Sequence, residues 1–199
     1  MKSLFDRTRV YAYADTPDAQ REGADGIAVT LKYGEDGRYV CMTGEDIDTV
    51  IAACRADELE VLLFLADKPE QDDFDALLMT LVRRDMTERC ILASPYHRML
   101  DEAKQKQPGL RITPICSADL VRPWIYAAYM GAGAYLAEAR ELLLGADQWG
   151  CPEIDRAHNA NVCIFAMEAD DEDTVRALVR IGCDAILTHD PAMARALVW

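Results

Sequence analysis

Three histidines and seven cysteines are the side chains of this 199-residue chain best suited to proton transfer, nucleophilic attack or metal ligation. Histidine titrates near neutral pH, so it can take or give a proton during a reaction, and it also ligates metals. His97, His158 and His189 lie far apart, and none stands at ligand spacing from another histidine or a carboxylate. For His97 and His158 that leaves a solvated surface role. The cysteines show neither CxxC nor Cys/His spacing. Cys41, Cys90, Cys116, Cys163 and Cys183 each fall in or beside an apolar run, the setting of small buried hydrophobes in a reducing compartment. No nucleophile is assigned among them, because a reactive thiol needs a positive, partly exposed environment.

The elements that must position these side chains follow from hydrophobic periodicity. Short apolar runs rich in β-branched residues alternate with stretches of helical period, the pattern of βα units around a parallel sheet. Strands are expected at Arg9 to Ala14, Gly26 to Lys32, Glu60 to Ala66, Cys90 to Ser94, Arg111 to Cys116, Ala146 to Trp149, Asn161 to Met167 and Asp184 to Thr188. Helices are expected at Asp46 to Ala56, Asp72 to Arg84, Tyr96 to Gln105, Asp119 to Leu144, Glu153 to Asn159, Asp171 to Ile181 and Ala192 to Val198. Glu35 to Arg38 reads as a hairpin turn into a short antiparallel return, Tyr39 to Met42. The expected fold is a single-domain α/β protein over residues 1–199, a compact (β/α)8 TIM-type barrel. Val10, Val29, Leu63, Ile91, Ile112, Ile164 and Ile186 sit centrally in their runs and should fill its layers.

Charge narrows the partners. With 21 Lys and Arg against 35 Asp and Glu, the formal net charge is -14, which opposes nucleic acid and anionic membrane surfaces. No run approaches the length of a membrane span, and Met1 to Asp6 has no apolar signal-peptide core, so a cytoplasmic protein is expected.

A family comes into view in the last third. Val162-Cys163-Ile164-Phe165-Ala166-Met167-Glu168, an acidic helix start and then Leu178 to Pro191 (LVRIGCDAILTHDP) resemble the glycerophosphodiester phosphodiesterase family, which ends on VxVWTVN, an acidic helix and LGVDGIITDxP. Ile91 to Tyr96 with Leu100 and Pro108 looks like its SSF strand and following helix. Ala19 to Leu31 (AQREGADGIAVTL) is similar to its AxxxGADxIExDV segment, and Asp36-Gly37-Arg38-Tyr39-Val40 falls at its DGxxV. The four matches occur in family order and span most of the chain. The resemblance implies a barrel of phosphodiesterase type, hydrolysis of glycerophosphodiesters in lipid metabolism, a divalent metal on carboxylates and a histidine pair for acid/base work.

Position by position, the chemistry that the resemblance implies is replaced. The expected His-Arg-Gly is Tyr13-Ala14-Asp15, and Thr16-Pro17-Asp18 runs straight into Ala19 with no Glu-Asn-Thr segment. The metal-binding Glu-x-Asp is Ala28-Val29-Thr30, the His-Asp after DGxxV is Thr43-Gly44, and Glu-x-Lys is Ala66-Asp67-Lys68, so only Lys68 survives. Asp67 could replace the lost carboxylate at Ala66, but a period of two turns it to the opposite face. Glu45 and Asp46 read as the cap of the helix from Asp46. Phe165 stands at a family tryptophan, Glu168 at an asparagine and His189 at an aspartate, which leaves Lys68, Phe165, Glu168 and His189 as ligand-binding candidates. Met42 passes to Asp46 without the family's inserted segment, so a shallow, open cleft is expected.

Two functions stay open on these residues. One is a non-catalytic binding or regulatory module with a small-molecule or protein partner, possible as a homo-oligomer, needing no cofactor. The other is an active hydrolase with a relocated site around Asp15, Asp67, Lys68, Glu168 and His189, in which Asp15, Asp67 and Glu168 would hold magnesium or calcium. An unrelated β/α barrel with its own substrate is the third class.

Overall fold

The computed structural model describes residues 7–14, 22–34, 39–68, 70–115, 122–147 and 150–198. Its packing divides the chain into two compact units, unit 1 (Met1–Asp25 with Ala118–Trp199) and unit 2 (Gly26–Ser117).

In unit 2 the strands β2 (Gly26–Tyr33), β4 (Glu60–Leu65), β5 (Cys90–Ser94) and β6 (Arg111–Pro114) pair in parallel in the order β6-β5-β4-β2. β3 (Tyr39–Cys41) returns antiparallel on β2 with Lys32 opposite Val40, as the sequence suggests; the expected turn, Glu35 to Arg38, lies outside the described residues. The helices α1 (Ile47–Ala56), α2 (Gln71–Arg83) and α3 (His97–Lys106) connect them. Each carries a buried stripe, Ile51 and Cys54 on α1, Phe74, Leu77, Leu78 and Leu81 on α2, and Met99, Leu100 and Ala103 on α3.

Unit 1 repeats the plan with β1 (Arg9–Tyr13), β7 (Ala134–Glu138), β8 (Cys163–Met167) and β9 (Ala185–Thr188), in the order β1-β9-β8-β7. Its helices are α4 (Pro123–Tyr129), α5 (Ala139–Leu144), α6 (Pro152–Asn159), α7 (Glu172–Ile181) and α8 (Pro191–Leu197). Asp171 caps α7 by accepting from the Thr174 amide, and Gly182 ends it in a left-handed conformation with φ 88°. Eight parallel strands alternate with helices, four strands to a unit.

The seven residues expected in the strand layers are all buried, with exposures of 2% or less. Val10 pairs with Ile186 across β1 and β9, and Val29 with Leu63 across β2 and β4. Each buried aliphatic side chain of this size stabilises by roughly 1.5–3 kcal/mol.

One stretch departs from expectation. The continuous helix Asp119 to Leu144 is instead α4, then β7, then α5, and the sixth parallel strand is Ala134–Glu138 rather than Ala146 to Trp149. Alanine favours helix in isolation, but pairing with β8, where Leu136 meets Phe165, outweighs a propensity of a few tenths of a kcal/mol per residue. Of the expected strand, Gln148 and Trp149 lie outside the described residues, and Asp147 forms an isolated bridge to Gly150.

No helix among the described residues is long and apolar enough to cross a membrane.

Candidate functional site

In unit 1, β1, β9 and β8 run parallel as neighbours, so their C-terminal ends bring Tyr13, Thr188 to His189 and Glu168 to one side. The Tyr13 ring lies against the His189 imidazole with centroids 4.4 Å apart, and the Tyr13 hydroxyl accepts from the Glu168 amide at 3.2 Å. Glu168 has φ 61°, a left-handed backbone that costs a non-glycine residue roughly 1–2 kcal/mol. Strain of this kind collects at sites where side-chain direction matters.

Asp170 organises the cluster. Its Oδ1 accepts from the His189 amide at 2.7 Å and the Thr188 hydroxyl at 2.9 Å, and its Oδ2 meets His189 Nδ1 at 3.1 Å. Burial pushes the Asp170 carboxyl up, but the bonds donated by His189 and Thr188 outweigh it and hold the group below the usual carboxylate range. The Asp170 carboxylate on Nδ1 fixes the orientation of the imidazole, as such partners do for histidines that act as ligands or bases. The ring is half exposed, its side chain 52% accessible. Sequence reasoning missed Asp170 because it opens the acidic run Asp170 to Asp173, which reads as helix-dipole compensation. The usable signal is its alternate spacing from Glu168.

The other expected residues are placed as follows. Phe165 is 1% exposed and packs on Tyr11 at 5.7 Å, so it is core rather than an aromatic wall. Asp15 lies outside the described residues, as does Cys116. Ala14 is half-buried just past β1. In unit 2, Ala28 is buried within β2 and Thr30 half-buried, while Thr43 is exposed and donates to Glu45 at 3.2 Å. Asp46 caps α1 through the Thr49 amide at 3.1 Å, the role expected of it. β4 ends at Leu65, so Ala66, Asp67 and Lys68 form an exposed loop and the alternation that would turn Asp67 away does not apply there. The Tyr39 hydroxyl holds that loop by donating to the Asp67 carbonyl at 3.3 Å.

Neither outlying histidine is solvated as expected. His158 is 12% exposed and its Nε2 meets the fully buried Asp184 carboxyl at 2.8 Å, which also accepts the Ile164 amide at 2.7 Å. His97 is half-buried with Nε2 on the Ile115 carbonyl at 2.9 Å. Burial pushes the thiols of Cys90 and Cys183 up to about 12 and that of Cys41 to about 11, values at which none is a nucleophile near neutral pH.

A hard divalent cation takes six or more oxygen ligands, several of them carboxylate. The residues at the positions that the resemblance assigns to such a cation, Ala28, Thr30, Thr43 and Ala66, offer methyls and hydroxyls and do not fit it. Among the described residues no three His, Cys, Asp or Glu side chains converge to hold a metal ion.

Comparison with known proteins gives a consistent direction. No protein-family model matches the chain. A curated glycerophosphodiester phosphodiesterase of Caldanaerobacter subterraneus subsp. tengcongensis is 26% identical over 121 residues, covering 59% of this chain and 45% of that protein, so the match spans less than half of the relative's length. Among solved structures, a candidate glycerophosphoryl diester phosphodiesterase of Silicibacter pomeroyi DSS-3 aligns with a TM-score of 0.78 at 12% identity, covering 98% of this chain and 94% of the other. A phosphodiesterase of Oleispira antarctica, solved with the product sn-glycerol-3-phosphate, aligns at 0.76 and 13%, and a glycerophosphodiester phosphodiesterase of Parabacteroides distasonis ATCC 8503 at 0.75 and 14%, each covering 96% of both chains. This likeness establishes the fold class, the eight-stranded β/α barrel expected from the sequence.

Proposed function

Taking the chain as a relative of the glycerophosphodiester phosphodiesterase family in sequence and fold, we propose that it does not hydrolyse phosphodiesters and acts as a binding or regulatory module. The observation that carries this reading is residue chemistry: Tyr13, Ala14, Ala28, Thr30, Thr43 and Ala66 stand where the resemblance implies histidines, an arginine and carboxylates. General acid/base groups contribute about 10²–10⁴-fold and a metal several kcal/mol of transition-state stabilisation, so losing both removes most of the acceleration. Lys68 supplies a charge but neither a metal, a base nor an acid. Glu168 and Asp170 add negative charge to the unit 1 cluster, which disfavours an anionic diester there. The module needs no cofactor, takes a small molecule or a protein, including a second copy, as partner, and works in the cytoplasm, where reducing conditions suit its free thiols.

The rival reading, a hydrolase with a relocated site around Asp15, Asp67, Lys68, Glu168 and His189, draws support from the imidazole that Asp170 orients. Product release from glycerophosphocholine and from a chromogenic bis-aryl phosphate, with and without magnesium or calcium, separates the two. The expected result is no turnover above background. Metal-dependent turnover that an Asp67→Asn/Glu168→Gln double variant abolishes overturns the non-catalytic reading.

A further inference from the structure

Between the first turns of α2 and α3, in unit 2, lies a cavity of about 560 Å³. That is within the span of small-molecule sites, about 300–1,000 Å³. Phe74 and Met99, 1% and 9% exposed, supply apolar lining and Tyr96 an aromatic ring. The charged groups on it are Lys68, Arg98 and Glu102.

Charge accounting selects the ligand. Arg98 Nε pairs with Glu102 at 3.1 Å, so those two cancel, whereas Lys68 forms no ion pair among the described residues. Counting the lining alone, one positive charge is left over, and it sits on the Lys68 ammonium, the group to which an anion would pair. One ammonium matches one negative charge. A dianion would bring a second charge for which the lining offers no further unpaired cation. The apolar lining in turn calls for an apolar body, which glycerol does not provide. His97 borders the same cavity with its ring fixed on the Ile115 carbonyl, so that wall is preformed.

We propose that this cavity binds a small amphiphilic monoanion, its acid head on Lys68 and its apolar body against Phe74, Met99 and Tyr96. The family resemblance gives no role to Phe74, Tyr96 or Met99, and the site stands whether or not the chain hydrolyses phosphodiesters.

Octanoate serves as the probe, titrated by calorimetry and followed through the ¹³C-methyl signal of Met99, which Met99→Leu assigns. Octanol is the neutral control and glycerol 3-phosphate the polar dianion. Octanoate is expected to bind and move the Met99 signal, Lys68→Glu to weaken it about ten-fold and Lys68→Met about three-fold, and octanol to be indifferent to both changes. Octanoate that leaves the Met99 signal in place, equal affinity in both Lys68 variants, or glycerol 3-phosphate binding there more tightly than octanoate overturns the proposal. None of these outcomes depends on turnover, so failure here is distinct from failure of the non-catalytic reading.

Discussion

Arg195, in the last helix, donates to the carboxylate of Asp25 at 2.8 Å while its Nε holds the Gly23 carbonyl at 2.7 Å. Asp25 also takes a forked pair from Arg7 at 2.6 and 2.9 Å and the Val10 amide at 2.8 Å. This explains the Gly-Ala-Asp of the family-like segment in structural terms. Gly23 has φ 89°, and a Cβ there would meet Arg195 Cβ at 2.9 Å, so no other residue fits without displacing that arginine.

Arg195→Ala is expected to destabilise by about 2 kcal/mol, or roughly 4–8 °C in Tm, because it strips a partly buried carboxylate of one partner. Burial raises the Asp25 pKa, but the bonds from Arg7, Val10 and Arg195 outweigh that and leave it lowered. A lowered folded pKa means that the stabilisation is present above the unfolded value and lost as pH falls through the folded one. The gap in Tm between wild type and Arg195→Ala should therefore close below about pH 4. A gap that persists at lower pH would contradict an ionic origin.

His158→Leu should cost about 2–3 kcal/mol, since it takes one hydrogen-bond partner from the wholly buried Asp184 carboxyl. Asp184→Asn should cost less, because an amide oxygen still accepts both bonds. Chemical denaturation of the two variants measures the difference, and equal losses would show that the histidine side chain matters by volume only.

Asp170→Asn should release the His189 ring from Tyr13. The His189 Hε1 resonance, shifted by the aromatic ring 4.4 Å away, would then move toward the position of a free histidine. An unmoved resonance would mean that stacking alone holds the imidazole.

Lys68→Ala should change stability by no more than about 0.5 kcal/mol, as expected of an exposed side chain. A loss of several kcal/mol in thermal unfolding would reveal a structural partner.

The strands were legible where β-branched residues mark them, as in Ile27, Val29 and Thr30 or Ile112 and Thr113. β7 was not, because Ala134-Tyr135-Leu136-Ala137-Glu138 carries no such residue and its strand character comes from pairing with β8, a contact that local sequence does not encode. The residue types at the positions the resemblance assigns to chemistry could be read from identity alone. The Asp170–His189 and His158–Asp184 pairs could not, since their partners stand 19 and 26 residues apart and meet only through parallel strand pairing.

The pairing of β1 with β9 also sets an order of events on the ribosome. Unit 2 is one continuous stretch, and all of it has been synthesised once Ser117 is made. β1 emerges early, yet the edge that pairs with β9 stays open until Ala185 to Thr188 arrive. At about 5–20 residues per second that leaves the β9 edge of an apolar strand uncovered for on the order of ten seconds. During that interval Val10, Tyr11 and Ala12 are a target for chaperones and proteases, and a nascent chain arrested before α7 should be cleaved there while the finished chain resists.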